Sequence, residues 1–313
     1  MGRVLVAGGT GFVGARLVRR LLERGHEVHV LTRRPALVPA PALAVTIADW
    51  RPALVAAAVG RQHFDWIFNL AAYGVDPRYQ DPLEARIVNI DVARGFVEIA
   101  GRVGGQALVH VGSVSEYAVW LQNRPIPEDA PLESVAVYGT TKAQASLAVH
   151  ADATRAGIAA VIVRLFGTYG ARERSDRLLP SLLRQLSAGQ PVPLSSGEQI
   201  RAVLYVDDAA EGLIRLAEVA GRQPPEIVNL CRGIGTSVRE FATTVADEIG
   251  APQDLLRFGA LPSLPHHASY LIGDVTRLVA RTGWHPQTTL RQGIHDAIPE
   301  WWALDQAVRP SRA

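Results

Sequence analysis

Short, uninterrupted apolar runs punctuate the first 165 or so residues of the chain: Val4–Ala7, Val28–Leu31, Ile67–Ala71, Leu108–Val111 and Val161–Arg164. None alternates with polar residues, so each predicts a strand covered on both faces, the condition of a parallel sheet. Between them, Ala15–Arg24, Asp81–Val103 and Tyr138–Ala156 place apolar residues at helical spacing. Strand and helix in alternation predict an α/β fold with a doubly wound parallel sheet, whose ligands sit beyond the carboxyl ends of the strands. Beyond Arg164 the periodicity degrades. Pro180, Pro191, Pro193 and Ser195-Ser196-Gly197 interrupt it, and helices such as Val238–Ile249 are separated by proline-rich loops. Val203–Asp207 and Ile227–Leu230 read as further buried strands. The expected division is a larger domain of residues 1–166 plus about 202–230, and a smaller mixed α/β region of about 167–201 plus 231–313. Pro35–Ala44 reads as a surface loop and the tail from Val308 as a frayed end.

Composition narrows the class. The 313 residues are 48% hydrophobic and 20% charged, ordinary for a globular chain and unlike a disordered one. Thirty-two basic residues stand against 30 acidic ones, a net charge of +2 that is too even to suggest a nucleic acid or a membrane surface as partner. Basic residues do gather at Arg33-Arg34 and between Arg172 and Arg177, which suits local anion sites. Cys231 is the single cysteine, so neither an intramolecular disulfide nor a thiolate metal site is expected. The apolar runs are far shorter than a membrane span, and no signal-peptide pattern opens the chain. A cytoplasmic location is the expectation.

The first chemical signal is Gly8-Gly9-Thr10-Gly11-Phe12-Val13-Gly14, which leaves a strand and opens a helix. Glycines three apart allow a tight turn, close backbone approach to a pyrophosphate, and packing of helix on strand. The helix N-terminus adds unpaired N–H groups and the positive end of its dipole. This context predicts dinucleotide binding in a Rossmann fold. An NAD-specific protein would end the second strand with an acid for the adenosine ribose. Here Thr32-Arg33-Arg34 stands instead: no carboxylate repels a 2′-phosphate and two guanidiniums can pair with one. NADP(H) is therefore favoured, with NAD possible. Asp49, beside Trp50, could accept from the adenine amine.

The second signal is Ser113 with Tyr138 and Lys142. At i and i+4, Tyr138 and Lys142 share one helix face. A phenol of pKa about 10 is poorly matched to neutral pH, and a lysine one turn away is expected to stabilise the phenolate and bring it toward about 7. Ser113, just past a strand end, would hydrogen-bond the reacting oxygen.

Together these residues resemble the extended branch of the short-chain dehydrogenase/reductase superfamily, and the resemblance runs along most of the chain. It is carried by Gly8-x-x-Gly11-x-x-Gly14, Asn69-Leu70-Ala71-Ala72, Val111-Gly112-Ser113-Val114-Ser115-Glu116-Tyr117, Tyr138-Gly139-Thr140-Thr141-Lys142, Arg164-Leu165-Phe166-Gly167-Thr168-Tyr169-Gly170, Arg201-Ala202-Val203-Leu204-Tyr205-Val206-Asp207-Asp208, and Asp274-Val275-Thr276 leading to Gly283-Trp284-His285-Pro286. That series is similar to nucleotide-sugar epimerases, dehydratases and 4-ketoreductases. The resemblance implies that Ser113 and Tyr138 act on a sugar carbonyl or hydroxyl, that Lys142 also holds the nicotinamide ribose, and that Arg201 pairs with the substrate diphosphate. It implies a homodimer built on Asp81–Val103 and Tyr138–Ala156. The candidate cofactor residues are thus Gly8, Gly11, Phe12, Val13, Gly14, Thr32, Arg33, Arg34, Asp49, Trp50, Leu70, Ala71 and Ala72, with Tyr138 and Lys142. The candidate substrate residues are Tyr73, Ser113, Val114, Gly167 and Arg201, and no metal is expected.

Departures from the family pattern select among its reactions. The 4,6-dehydratases carry an Asp-Glu pair after the serine or threonine, where this chain has Val114 and Ser115. Valine transfers no proton, so dehydration is not expected. The epimerising reductase that makes GDP-fucose has a cysteine at the position of Ser115, and Cys231 cannot serve there. NADPH-dependent reduction of a keto group, at C4 of a nucleotide-linked keto-deoxysugar, is the leading expectation. Alternatives are an NAD-retaining 4-epimerase, a reductase of a non-sugar ketone, and a non-catalytic nucleotide sensor. Two departures bear on the substrate. Relatives often have Asn at Gly167, and an arginine where this chain reads Leu264-Pro265-His266-His267.

Overall fold

The computed structural model describes residues 1–134, 136–222, 224–262 and 269–308. The Leu264–His267 neighbourhood therefore lies outside the described residues. Arg3–Ala7 (β1) runs through the glycine turn into Phe12–Glu23 (α1), then Glu27–Thr32 (β2), Leu43–Thr46 (β3), Pro52–Val59 (α2) and Trp66–Asn69 (β4). Pro82–Ala85 (α3) continues through a π-helical stretch, Arg86–Asp91, into Val92–Val103 (α4). Ala107–Ser113 (β5), Val137–Ala156 (α5) and Ala160–Leu165 (β6) follow. Then come Thr168–Tyr169 (β7), Leu178–Ser187 (α6), Val192–Leu194 (β8), Ile200–Arg201 (β9), Leu204–Tyr205 (β10), Val206–Val219 (α7) and Glu226–Leu230 (β11). The remainder is Thr236–Ser237 (β12), Val238–Glu248 (α8), Leu256–Phe258 (β13), Tyr270–Leu271 (β14), Thr276–Thr282 (α9) and Leu290–Val308 (α10).

Seven parallel strands form the central sheet in the order β11-β6-β5-β4-β1-β2-β3. Its two faces use alternate residues of the same strands. Val4, Val6, Val109, Val111, Val161 and Val163 pack with Leu17 and Leu21 of α1 and Leu213 of α7. Leu5, Ile67, Leu108 and Ile162 pack with Phe96 of α4 and Val149 of α5. Both sets are buried, which is why the strands read as unbroken apolar runs. Strand order reverses at β1, between β4 and β2, and this opens the crevice in which such sheets hold ligands. A second apolar core joins α6, α8 and α10 through Leu182, Leu183, Phe241, Val245, Ile294 and Trp301.

Three expectations need correction. Val203–Asp207 is not one strand: only Leu204–Tyr205 is extended, pairing with β7, and Val206 already starts α7. Asp207 and Asp208 occupy that helix's first turn, where the dipole favours acids. Pro35–Ala44 is not wholly loop, because β3 begins at Leu43 and pairs with β2 as the outer strand. Leu43-Ala44-Val45 is a short apolar run, yet its residues are largely exposed because β3 is the outer strand. Asp81–Val103 is helical but widened at Arg86–Asp91, a feature that apolar spacing does not encode.

Candidate active site

The nucleotide end rests on contacts that a Cβ would abolish. Gly8 has φ +80°, and a Cβ there would lie 2.8 Å from the Leu70 carbonyl carbon, while one at Gly14 would lie 2.2 Å from the Gly8 oxygen. Gly11 caps α1 with extended backbone and no side-chain cap, donating its N–H to the Gly8 carbonyl at 3.0 Å. The N–H groups at Phe12 and Val13 thus begin the helix uncapped, as anion binding requires. Across the crevice, Leu70 N–H donates to the Ala7 carbonyl at 2.9 Å and Ala71 N–H to Asn69 Oδ1 at 3.2 Å. Asn69 Nδ2 in turn donates to His110 Nδ1 at 3.1 Å. Burial holds His110 well below the usual histidine range, so it accepts as a neutral imidazole. This chain fixes Leu70–Ala72 against the glycine turn.

Thr32 is buried at the end of β2, and its Oγ1 accepts from Arg34 N–H at 3.0 Å. Arg33 and Arg34 stand exposed, and neither guanidinium has an ion-pair or hydrogen-bond partner among the described residues. Asp49 is already engaged: Oδ1 accepts from Trp50 N–H at 2.7 Å and Oδ2 pairs with Arg51 Nε at 3.1 Å.

At the chemical end, Ser113 finishes β5 beside Tyr138, its hydroxyl near enough to the phenol to lower its pKa. Lys142, one turn along α5, is buried and donates from Nζ to the Val111 carbonyl at 2.6 Å. Burial pushes the Tyr138 phenol up to about 12, with the Ser113 hydroxyl opposing and the Glu116 charge reinforcing. Burial pulls Lys142 down to about 8, and Glu116 opposes. The expected lowering of the phenol by lysine is not what this arrangement produces. Lys142 is tied to a backbone carbonyl and desolvation dominates the phenol, so at neutral pH the pair is a phenol beside an ammonium.

The substrate side is less enclosed. Arg201 is half-buried, donates from Nη1 to the Ile200 carbonyl at 2.9 Å, and pairs with no carboxylate among the described residues. Burial alone lowers its pKa. Gly167 follows β6, and a Cβ there would come no nearer than 3.9 Å to the Ala202 oxygen, so this wall is open. Val114 packs with Tyr117 and Phe166, and Ser115 is exposed. The first carboxylate after Ser113, that of Glu116, is turned into the core and held by the Ser113 amide, Ser146 and Arg164. It is not available as an acid for elimination.

These positions match a sequence profile described as the NAD dependent epimerase/dehydratase family over residues 4–231. The chain belongs to that family. It is 28% identical over 302 residues to the dTDP-6-deoxy-L-talose 4-dehydrogenase (NAD(P)(+)) of Kitasatospora kifunensis, covering 94% of each chain. It is 26% identical over 329 residues to the UDP-glucose 4-epimerase of Corynebacterium glutamicum, covering 98% of this chain and 96% of that one. Among solved structures, MoeE5 in complex with UDP-glucuronic acid and NAD superposes with a TM-score of 0.82 at 26% identity, covering 97% of this chain and 100% of that one.

Within this epimerase/dehydratase-family enzyme, some residues that build the site escape a motif reading. Asn89, buried in the π-helical stretch, accepts from Tyr73 N–H at 2.8 Å and donates from Nδ2 to the Tyr73 carbonyl (3.0 Å) and Thr141 Oγ1 (2.9 Å). It fixes the strand-end loop against α5. Its signal was a lone amide within the apolar run Ile87-Val88-Asn89-Ile90. A second missed signal is compositional: Lys142 is the one lysine among 313 residues, every other basic side chain of the lysine–arginine class being arginine. A guanidinium would stay charged and need its whole fork of donors satisfied, so this buried position keeps the one amine.

The glycine turn yields a direct expectation. Gly14→Ala drives a methyl group into the Gly8 carbonyl, so dinucleotide affinity measured by calorimetry falls at least about tenfold, as when a 1.4 kcal/mol contact is lost, and the melting temperature drops. Unchanged affinity would show that the pyrophosphate does not sit on this turn.

Proposed function

We propose that the enzyme reduces a keto group with NADPH, most fittingly C4 of a nucleotide-linked keto-deoxysugar, with Tyr138 giving the proton. The observation that carries this reading lies at the end of β2, where the guanidiniums of Arg33 and Arg34 are exposed and have no ion-pair or hydrogen-bond partner among the described residues, as a 2′-phosphate would require. The Gly8 and Gly14 backbone leaves room for a pyrophosphate, so the residues fit the cofactor. When bound, the dihydronicotinamide supplies the hydride. Ser113 would hydrogen-bond the carbonyl oxygen and Tyr138 protonate it as charge develops. Lys142, one donor fixed on Val111, has two left for the nicotinamide ribose. Arg201 would meet a diphosphate, and the region of residues 167–201 and 231–313 would shape the sugar pocket. The outer faces of α4 and α5 would form a homodimer.

The dTDP-6-deoxy-L-talose 4-dehydrogenase relative favours this class of substrate and its use of NAD(P). The competing reading, an epimerase that retains NAD, is favoured by the UDP-glucose 4-epimerase relative and by the NAD in MoeE5. Cofactor released from the purified enzyme separates the two: tightly retained NAD+ would overturn the reductase reading. The open wall at Gly167 also suits a bulkier, non-sugar ketone. A nucleotide sensor has no use for a buried ammonium beside a phenol.

Tyr138→Phe should cut kcat by about 100-fold or more while NADPH affinity by fluorescence titration stays within about twofold; turnover persisting above a few per cent would remove Tyr138 as the proton donor. Arg33→Ala and Arg34→Ala should each raise the KM for NADPH and leave that for NADH nearly unaltered, and equal loss for both cofactors would contradict a phosphate clamp. The pH profile has a defined sign. Lys142 has its pKa lowered to about 8, so its charge is present below that value and lost above it. Initial rates should fall as pH rises through about 8, whereas a rate flat to pH 10 would mean that the ammonium is not required.

A further inference from the structure

We propose that Glu116 is a positioning residue for this reaction: its buried carboxylate fixes the Ser113 backbone and supplies the counter-charge for Lys142, although it touches neither substrate nor cofactor. The inference rests on the reading of Ser113, Tyr138 and Lys142 as the reacting set.

The geometry is that of a socket built for an anion. Glu116 is fully buried. Its Oε1 accepts from the Ser113 N–H at 2.7 Å and the Ser146 hydroxyl at 2.9 Å, and its Oε2 accepts from Arg164 Nε at 2.7 Å. Burial raises the pKa of this carboxyl, and the three donors, one of them the Arg164 guanidinium, oppose that rise. The space exists because residue 112 is glycine: a Cβ there would lie 2.3 Å from Glu116 Oε1 and 2.8 Å from Ser146 Oγ. Ser113 closes the loop, its Oγ accepting from Ser115 N–H at 3.1 Å in a reciprocal cap with Glu116. The carboxylate thus grips the backbone of the residue whose side chain lies beside Tyr138.

A salt bridge made only for stability would need no more than Arg164. Here the groups facing Glu116 from each packed element form a graded field. From α5 come Lys142, Ser146 and Tyr138; from β5 the Ser113 amide; from β6 Arg164. Beyond Arg164, Tyr117 accepts from its Nη1 at 3.1 Å and the Glu128 carbonyl at 2.7 Å, while the Glu128 carboxylate lies 3.8 Å from Arg277. One carboxylate is thus bonded to Arg164, and its charge also favours the protonated form of Lys142 against the burial that opposes it. Arg164 faces Glu116 and Tyr117, away from the reacting side.

Because Lys142 is the one lysine, protein grown with 13C,15N-lysine gives a single side-chain signal whose titration needs no turnover. In the wild-type enzyme it should titrate near pH 8. In Glu116→Gln it should titrate about one unit lower, and the alkaline limb of kcat should move with it while NADPH affinity stays within about twofold. Glu116→Asp keeps the charge and shortens the reach to Ser113, so it should hold the lysine titration and lose kcat. Should Glu116→Gln fail to fold with Arg164 left unpaired, Glu116→Gln/Arg164→Gln restores the balance of charge and should keep most of the acid shift. A lysine titration and kcat profile like the wild type's in a folded Glu116→Gln or double variant would overturn the proposal and leave Glu116 a core ion pair. A shifted lysine titration in an enzyme that reduces no ketone would uphold the role of Glu116 as counter-charge and defeat the functional reading instead.

Discussion

A parallel sheet covered by helices on both faces leaves its polar backbone groups unsatisfied only at the strand ends. That constraint organises this molecule. With alternate valines, leucines and isoleucines buried on either side of the same strands, polar chemistry is confined to the carboxyl edge. Ser113 ends β5 there, Asn69 ends β4, Thr32 ends β2, and the glycine turn leaves β1. The reversal of strand order at β1 then separates the connections on either side and opens the crevice between Gly8 and Leu70. Cofactor turn and reacting residues share one rim because neither has anywhere else to be exposed.

Behind that rim the molecule carries ionisable groups into its interior, and each is accounted for differently. His110 is neutral and its Nδ1 accepts from Asn69, so it carries no buried charge, although its buried Nε2 has no partner among the described residues. Arg164 and Glu116 are paired, and such a pair is worth little net stability, yet stripping one partner costs about 3–5 kcal/mol. Lys142 has only a carbonyl and the field of Glu116. It is the least compensated of these groups, hence the one whose protonation sits nearest physiological pH. A hydrophobe would fill that position at less cost, so stability alone does not explain the ammonium there.

The sequence made the sheet legible because both-face burial writes itself as unbroken apolar runs, and the glycine turn legible because its backbone tolerates no Cβ at Gly8 or Gly14. What was illegible has physical causes too. β3 is an outer, largely exposed strand, and its short run Leu43-Ala44-Val45 follows Pro39 and Pro41, which read as loop. Val206 is as apolar as a strand residue, and only the acids after it betray a helix start. The π-helical turn that aims Asn89 inward changes hydrogen-bond register without changing composition. The Tyr138–Lys142 spacing revealed the pair but not its electrostatics, since spacing says nothing of what else each group touches. Lys142 spends a donor on Val111, and desolvation then governs the phenol.

The same distinction decides how far the fold constrains the reaction. The carboxyl rim, the Ser113–Tyr138–Lys142 set and the glycine turn are compatible with several chemistries of the family, so none of them selects one. Around that set the charged groups differ in what they already touch. Among the described residues, Arg33 and Arg34 are exposed without an ion-pair or hydrogen-bond partner, Arg201 is half-buried and donates to the Ile200 carbonyl, and the Glu116 carboxylate is held in the interior. Anionic groups of a ligand would find cations at the rim, while the first carboxylate after Ser113 in the chain is turned away from it.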